Sequence, residues 1–261
     1  MTYIIILFII FSATLMFYMR FLAFQTNVIK HSLQIEEMKD GEQFNIFFIS
    51  DIHRRQIPEK LIHSLVGEVD IVVIGGDLTE KGVPLERTEN NIVDLSKLGP
   101  VYYVYGNNDR EIGEEHLNSI LEKNDVMILN NTSLAIHNNH SVIRLVGIND
   151  GFSGRVRIYD AFQEVSENEV VVFVCHAPAF FNNAKKVAKP HLLMAGHLHG
   201  GQIRLGPIGI YEKGTFRVKE KSAELVSNGF GTTGIHLRLG AKSECHLITL
   251  FGKQKGNNLK N

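Results

Sequence analysis

The chain has 261 residues, 44% of them hydrophobic and 21% charged, with a formal net charge of −1. That length allows one large domain or two small ones, and the composition is that of an ordinary globular protein. The near-zero charge argues against a groove tracking long nucleic acid, which needs a strongly basic face, but leaves room for a small anion whose charge is met by metal ions. Cys175 and Cys245 match no zinc spacing; a reducing compartment is their simpler reading, with a disulfide between them left open. The twelve histidines are more informative, since imidazole both ligates metals and carries protons.

Residues 3–19 are uncharged and almost wholly apolar, and after Arg20 the chain continues Phe21-Leu22-Ala23-Phe24. A spanning helix needs about 20 such residues, with a lower limit near 17. Residues 1–24 are therefore predicted as one transmembrane anchor, with Arg20 snorkelling to the interface. The rival, a cleaved secretory signal, wants basic residues before the apolar run and a small-residue cleavage site after it. Met1-Thr2-Tyr3 has no base, and Leu22-Ala23-Phe24 is a poor site. Arg20, Lys30 and Lys39 follow the run and none precedes it, so the positive-inside tendency points to a single-pass cell-membrane protein with a cytoplasmic domain.

Residues 25–43 read as a juxtamembrane link with an edge strand over 32–38, turned at Asp40-Gly41 into the domain, residues 44–251. There, apolar runs rich in β-branched and aromatic residues end in polar clusters. Asn45-Ile46-Phe47-Phe48-Ile49-Ser50 precedes Asp51-Ile52-His53; Asp70-Ile71-Val72-Val73-Ile74 precedes Gly75-Gly76-Asp77; Val101-Tyr102-Tyr103-Val104-Tyr105 precedes Gly106-Asn107-Asn108-Asp109. Such runs suit strands covered on both faces. Helices are predicted between them, over 58–66 and 84–98, which gives parallel βαβ units whose strand ends gather ligands. Each cluster alone reads equally as turn chemistry. Three in succession, each capping a core strand, do not.

A helix over 113–124 follows, then strands over 126–129, 134–137 and 142–148, with His137-Asn138-Asn139-His140 as a solvated hairpin turn. After a short helix over 159–165, the strand over 169–175 delivers His176-Ala177-Pro178, and the strand over 192–195 delivers Gly196-His197-Leu198-His199-Gly200-Gly201. Alternation along an extended backbone sends His197 and His199 to one side. This mixed set of nitrogen and oxygen donors suits Mn, Fe or Zn better than Mg or Ca. Residues 252–261, with Lys253, Lys255 and Lys260, read as a flexible tail.

The ordered series Asp-x-His, Gly-Asp, Gly-Asn-x-Asp, a lone strand-end His and Gly-His-x-His resembles the calcineurin-like metallophosphoesterase superfamily. The stretches Gly196-His197-Leu198-His199-Gly200-Gly201-Gln202-Ile203-Arg204-Leu205 and Leu225-Val226-Ser227-Asn228-Gly229-Phe230-Gly231-Thr232-Thr233 resemble its small, membrane-anchored bacterial branch. The resemblance implies an α/β fold, a four-layer α-β-β-α sandwich of two mixed sheets flanked by helices, with two divalent metals at the strand ends. By it, Asp51, His53, Asp77 and His199 hold one ion, and Asn107, His176 and His197 the other, with Asp77 bridging. A hydroxide shared by the ions would attack phosphorus in line with the leaving oxygen.

One departure matters: the superfamily usually has His where this chain has Asn108, helped by the acid that corresponds to Asp109. Asn cannot donate a proton near neutral pH, so phosphodiesters or pyrophosphates are expected over alkyl monoesters. Arg54 or Arg55, just past His53, is expected to clamp phosphate oxygens, against the alternative of solvated surface arginines. The anchor suggests a lipid-linked phosphate ester as substrate. The competing readings are a phosphomonoesterase or phosphoprotein phosphatase and a non-catalytic, metal-stabilised interaction module.

Overall fold

Ile46 and Phe48 point one way from their strand and Phe47 and Ile49 the other, and all four are fully buried. A strand buried on both faces must be sandwiched, and the rest of the domain follows from that requirement. The structure, a computed structural model, describes residues 1–219 and 222–253. Most of the expected tail, 254–261, lies outside the described residues.

In chain order the elements are α1 (Thr2–Ala23), β1 (Asn27–Gln34), β2 (Gln43–Ile49), α2 (Glu59–His63), β3 (Ile71–Ile74), α3 (Leu85–Ser96), β4 (Val101–Tyr103), α4 (Glu114–Lys123), β5 (Met127–Ile128), β6 (Thr132–Asn138), β7 (Ser141–Gly147), α5 (Ile158–Ala161), β8 (Val170–Val174), α6 (Phe181–Val187), β9 (Leu192–Ala195), β10 (Thr215–Lys219), β11 (Ser222–Val226) and β12 (Glu244–Phe251). Among the described residues the strands form two six-stranded sheets, ordered β1-β12-β2-β3-β4-β5 and β10-β11-β9-β8-β7-β6. Both are mixed. β2 to β5 run parallel, with β12 antiparallel to β2; β7, β8, β9 and β11 run parallel, with antiparallel hairpin partners β6 and β10 at the edges.

Three apolar layers fill the sandwich. Ile46, Phe48 and Val73 of the first sheet meet Leu145, Val172 and Met194 of the second. Phe47, Ile49 and Val72 meet the stripe of Leu61, Ile62, Ile92, Leu95, Leu117 and Leu121 from α2, α3 and α4. Val146, Val171 and Phe173 meet Ala161, Phe162, Phe181 and Ala184 from the α5 and α6 side. This is the expected four-layer α-β-β-α arrangement. Both cysteines are buried and free, so no disulfide joins them.

Several boundaries differ from expectation. The edge strand runs over Asn27–Gln34 rather than 32–38, paired in parallel with β12, which the sequence reading did not foresee. Ile35 and Met38 are buried beyond the strand's end. The helices are shorter because Pro58 and Pro84 sit outside them as N-caps with extended ψ of 138° and 134°, where a ring without an N–H costs nothing. The helix expected over 159–165 is a single turn at Ile158–Ala161.

Helix α1 is 22 residues long with a mean hydropathy of 2.2, long and apolar enough to cross a membrane. Its surface is exposed except at the final turn, where Leu22 and Ala23 are buried against the domain. There the Arg238 backbone N–H donates to Met19 O at 3.0 Å.

Candidate metal centre

The clusters at the ends of β2, β3, β4, β8 and β9 do meet. They do so through unusual backbone: Asp51, His53, Asp77, His197 and His199 all lie in the left-handed region, with φ of 55°, 51°, 50°, 73° and 49°. Non-glycine residues rarely adopt it, and a concentration of such strain marks a functional site. Glycines permit the close approach. A Cβ on Gly106 would run into the Asp77 amide and carboxylate, and one on Gly196 into the Asp51 carboxylate.

The positive φ at His197 and His199 corrects the expectation of an extended segment. The chain coils here, and the two imidazoles serve different partners. His199 Nε2 faces His53 Nε2 at 3.1 Å, with the rings stacked at 5.1 Å. His197 Nδ1 faces His176 Nε2 at 3.2 Å. His176 Nε2 also lies 3.1 Å from Asn107 Oδ1 and 3.3 Å from Asp77 Oδ2. Asp77 Oδ2 is 3.7 Å from His53 Nε2, so this carboxylate reaches both imidazole pairs. Asp51 Oδ1 is 3.4 Å from His199 Nε2. Two sets of donor atoms lie within 4.8 Å of one another, Asp51, His53 and His199 in one, Asp51, Asp77 and His176 in the other.

These donors fit divalent cations. Asp51 and Asp77 are 0% and 2% exposed, and among the described residues no lysine or arginine forms an ion pair with either. Two buried carboxylates without a cationic partner are costly. Their need for positive charge is visible in the imidazoles. Burial opposes protonation of His176, yet the Asp77 and Asp51 carboxylates push it up to about 10. Burial likewise works against the Asp77 charge, but His176, His53 and the Asn108 N–H hold its carboxyl below the usual range. His199, desolvated by burial and beside His53 and Arg238, is pushed down to about 4. Burial and His176 also lower His197.

Partners behind the donors orient them. His53 Nδ1 lies 2.9 Å from Glu80 Oε2, and His176 Nδ1 lies 2.9 Å from Gly75 O. Arg238 is fully buried; it donates to Asn228 O at 2.6 Å and Gly231 O at 2.7 Å and reaches His199 Nδ1 at 3.3 Å. Burial lowers that guanidinium to about 10. Asp109 sits below the centre, 0% exposed. It accepts from the N–H groups of Asp77 (2.9 Å), Gly106 (2.7 Å) and Thr79 (3.1 Å) and from the Tyr103 hydroxyl (2.7 Å). Burial and Asp77 raise it to about 6.

Of the residues singled out from sequence, Asp51, His53, Asp77, Asn107, Asn108, His176, His197 and His199 converge. Asn108 donates to Asp77 through its backbone (2.8 Å) and its carboxamide (3.2 Å). Arg54 does not join them: it pairs with Glu80 and donates to Lys81 O at 2.8 Å, on the far side of His53. Arg55 is buried against Phe230 O and Phe24 O. Glu80, Tyr103 and Arg238 were missed. Nothing in their local sequence marks them, since each works through the fold. Of the candidate ligands, Asp77, Asn107, His197 and His199 line a cavity of about 400 Å³, whose other side is formed by Ile203, Ile210, Tyr211 and Ile235.

Comparison with known proteins identifies the family. The calcineurin-like phosphoesterase family matches residues 44–201. YpbG of Bacillus subtilis strain 168 is 38% identical over 86% of this chain and 87% of its own length. The phosphodiesterase YaeI of Escherichia coli K12 is 26% identical over 83% and 81%. The 5'-nucleotidase precursor from Thermus thermophilus shares the fold, with a TM-score of 0.54 and 12% identity over 79% of this chain and 55% of that one. The family uses divalent metals. The chain belongs to the calcineurin-like phosphoesterase family.

Proposed function

We propose that this protein is a membrane-anchored phosphohydrolase that binds two divalent ions (Mn, Fe or Zn) and cleaves phosphodiester or pyrophosphate bonds, with its domain on the cytoplasmic side. Asp51, His53, Asp77 and His199 would hold one ion and Asn107, His176 and His197 the other, with Asp77 shared. When bound, the ions supply Lewis acidity toward the phosphoryl oxygens and lower the pKa of water. The rest falls to the chain. Glu80 and Gly75 O fix which nitrogen of His53 and of His176 faces the centre. Asp109 is a positioning residue, since it grips the backbone of Asp77.

The observation that carries the bond preference is Asn108. Its two N–H contacts are spent on Asp77, and its carboxamide oxygen accepts from Asn107 Nδ2 at 2.8 Å. A carboxamide so held can bond a phosphoryl oxygen but has no proton to give a leaving group. Esters and anhydrides with good leaving groups are therefore favoured. The relative named as a phosphodiesterase supports this reading. The apolar wall of Ile203, Ile210, Tyr211 and Ile235 supports a substrate with a lipid portion, and the zebrafish relative named as a transmembrane protein with a metallophosphoesterase domain supports the anchor.

The test is turnover by full-length, metal-reconstituted protein of bis-(p-nitrophenyl) phosphate against a simple alkyl phosphate. The diester is expected to react faster. Faster turnover of the alkyl monoester would point to a phosphomonoesterase, and no turnover with any metal to a non-catalytic module.

A further inference from the structure

Where α1 enters the domain there is a second cavity, of about 350 Å³, lined by Ala23, Phe24, Arg54, Arg55, Arg87, Thr232 and His236. It holds none of the metal-binding residues. Three arginines line it, and among the described residues no aspartate or glutamate does. Arg54 is offset by Glu80 outside the cavity, but among the described residues neither Arg55 nor Arg87 forms an ion pair. Arg55 is 8% exposed and is held by neutral groups: Phe230 O at 2.6 Å, Ser243 Oγ at 2.5 Å and Phe24 O at 2.7 Å. Arg87 donates to the Arg54 backbone carbonyl at 3.0 Å, which holds its guanidinium beside the segment that carries Arg54 and Arg55.

The floor of this cavity is the end of the apolar helix. Ala23 and Phe24 are the residues at which the span gives way to the domain, and the Arg20 guanidinium lies 4.9 Å over the Phe24 ring. With α1 in a bilayer, the three arginines stand at headgroup depth. Unpaired guanidinium groups in a recess prefer a tetrahedral oxyanion, which they bind by paired N–H contacts. Basic juxtamembrane pockets draw anionic headgroups for the same reason.

We propose that this cavity is a phosphate-binding site, separate from the metal centre, that takes the phosphate of an anionic phospholipid headgroup or free phosphate. The proposal goes beyond the hydrolytic function and rests on α1 lying in the membrane for its lipid arm only. Its back wall, Thr232 and His236, belongs to the same loop that offers Thr233 and Ile235 to the metal cavity. An occupied headgroup site would thus hold the metal cleft at a fixed height over the lipid.

The test uses full-length, metal-loaded protein in nanodiscs of phosphatidylcholine with or without phosphatidylglycerol, with retained lipid read by native mass spectrometry. Wild type is expected to retain phosphatidylglycerol selectively. Arg87→Gln is expected to weaken that retention about five-fold, the effect of one basic residue at a membrane surface, while turnover of a small soluble diester stays unchanged, which reports an intact fold. Arg157→Gln, an exposed arginine beside α5, is the control for general charge and should leave retention unaltered. A second arm measures protection of the cavity-lining peptides from hydrogen exchange by inorganic phosphate. Protection that Arg87→Gln removes, with no lipid selectivity, assigns the site to free phosphate. If neither retention nor protection depends on Arg87, the proposal is overturned. Failure of the anchor itself would register differently, as a chain that does not enter nanodiscs at all.

Discussion

His53 and His199 are 0% and 5% exposed and are backed by Glu80 and Arg238, whereas the opposite half meets the cavity through the partly exposed Asn107 and His197. The Phe152 ring, itself exposed, stands 5.2 Å from His197 at that open side. Half of the centre is thus fixed by protein-to-protein bonds that exist whatever else is bound. The other half is more open at Asn107 and His197, although its His176 is buried and held by Gly75 O. Rigid placement suits a cation that stays, and access suits the place where substrate arrives and product leaves.

Four experiments would break or sharpen that contrast. The largest effect is expected at the residue both halves share: Asp77→Asn should cut turnover by about a thousand-fold or more, since a bridging charge is lost from the reacting site. Equal loss of metal from both halves, measured by elemental analysis, would fit its reach from His53 to His176. Next comes Arg238→Met, which leaves the carbonyls of Asn228 and Gly231 without their buried donor. A cost of about 3–5 kcal/mol is expected, read as a fall in Tm, with metal lost first from the His53–His199 half.

A smaller effect should come from Glu80→Gln, which removes the carboxylate behind His53 and should lower metal affinity about 10–100-fold. Unchanged affinity by titration would mean that the sealed half does not depend on its backing. The smallest near neutral pH involves His246, beneath the loop that carries Gly229 and Phe230. His246 is 2% exposed, contacts His31 Nε2 at 3.1 Å and Ser227 Oγ at 3.0 Å, and has Glu244 Oε1 at 3.6 Å. Burial and the neighbouring His31 push it down to about 3. It therefore stays neutral in the fold while the unfolded chain takes up a proton below about pH 6.5. Stability is full above that pH and falls by up to roughly 1.4 kcal/mol per pH unit as pH drops toward 3. His246→Gln should flatten that slope in denaturant titrations at several pH values.

The sandwich and the convergence of the candidate ligands were legible because buried parallel strands announce themselves as unbroken apolar runs, and each ends in its own polar cluster. β1 was misplaced because an edge strand with Lys30, His31 and Ser32 along it carries no such run. The coiled path through His197 and His199 was hidden, since positive φ is read from glycine and these are histidines. Arg238 carries no local signal in the sequence. Only the fold reveals that carbonyls from the start of its own β11–β12 connection curl back to surround it. Arg54 was drawn toward the site by its adjacency to His53, but successive residues need not share a direction, and Glu80 takes it the other way.

β12 lies between β1 and β2, yet Thr249 and its partner Asn45 are 204 positions apart. During synthesis the first sheet must wait, with one side of β2 unpaired, until nearly all of the domain has emerged. By then the apolar helix has long left the ribosome. Were α1 to enter a bilayer as proposed, insertion would come before closure, and the nascent domain would complete itself beside lipid with a strand edge still unsatisfied. A stop codon anywhere ahead of β12 would leave an aggregation-prone fragment with one side of β2 unpaired rather than a smaller folded domain.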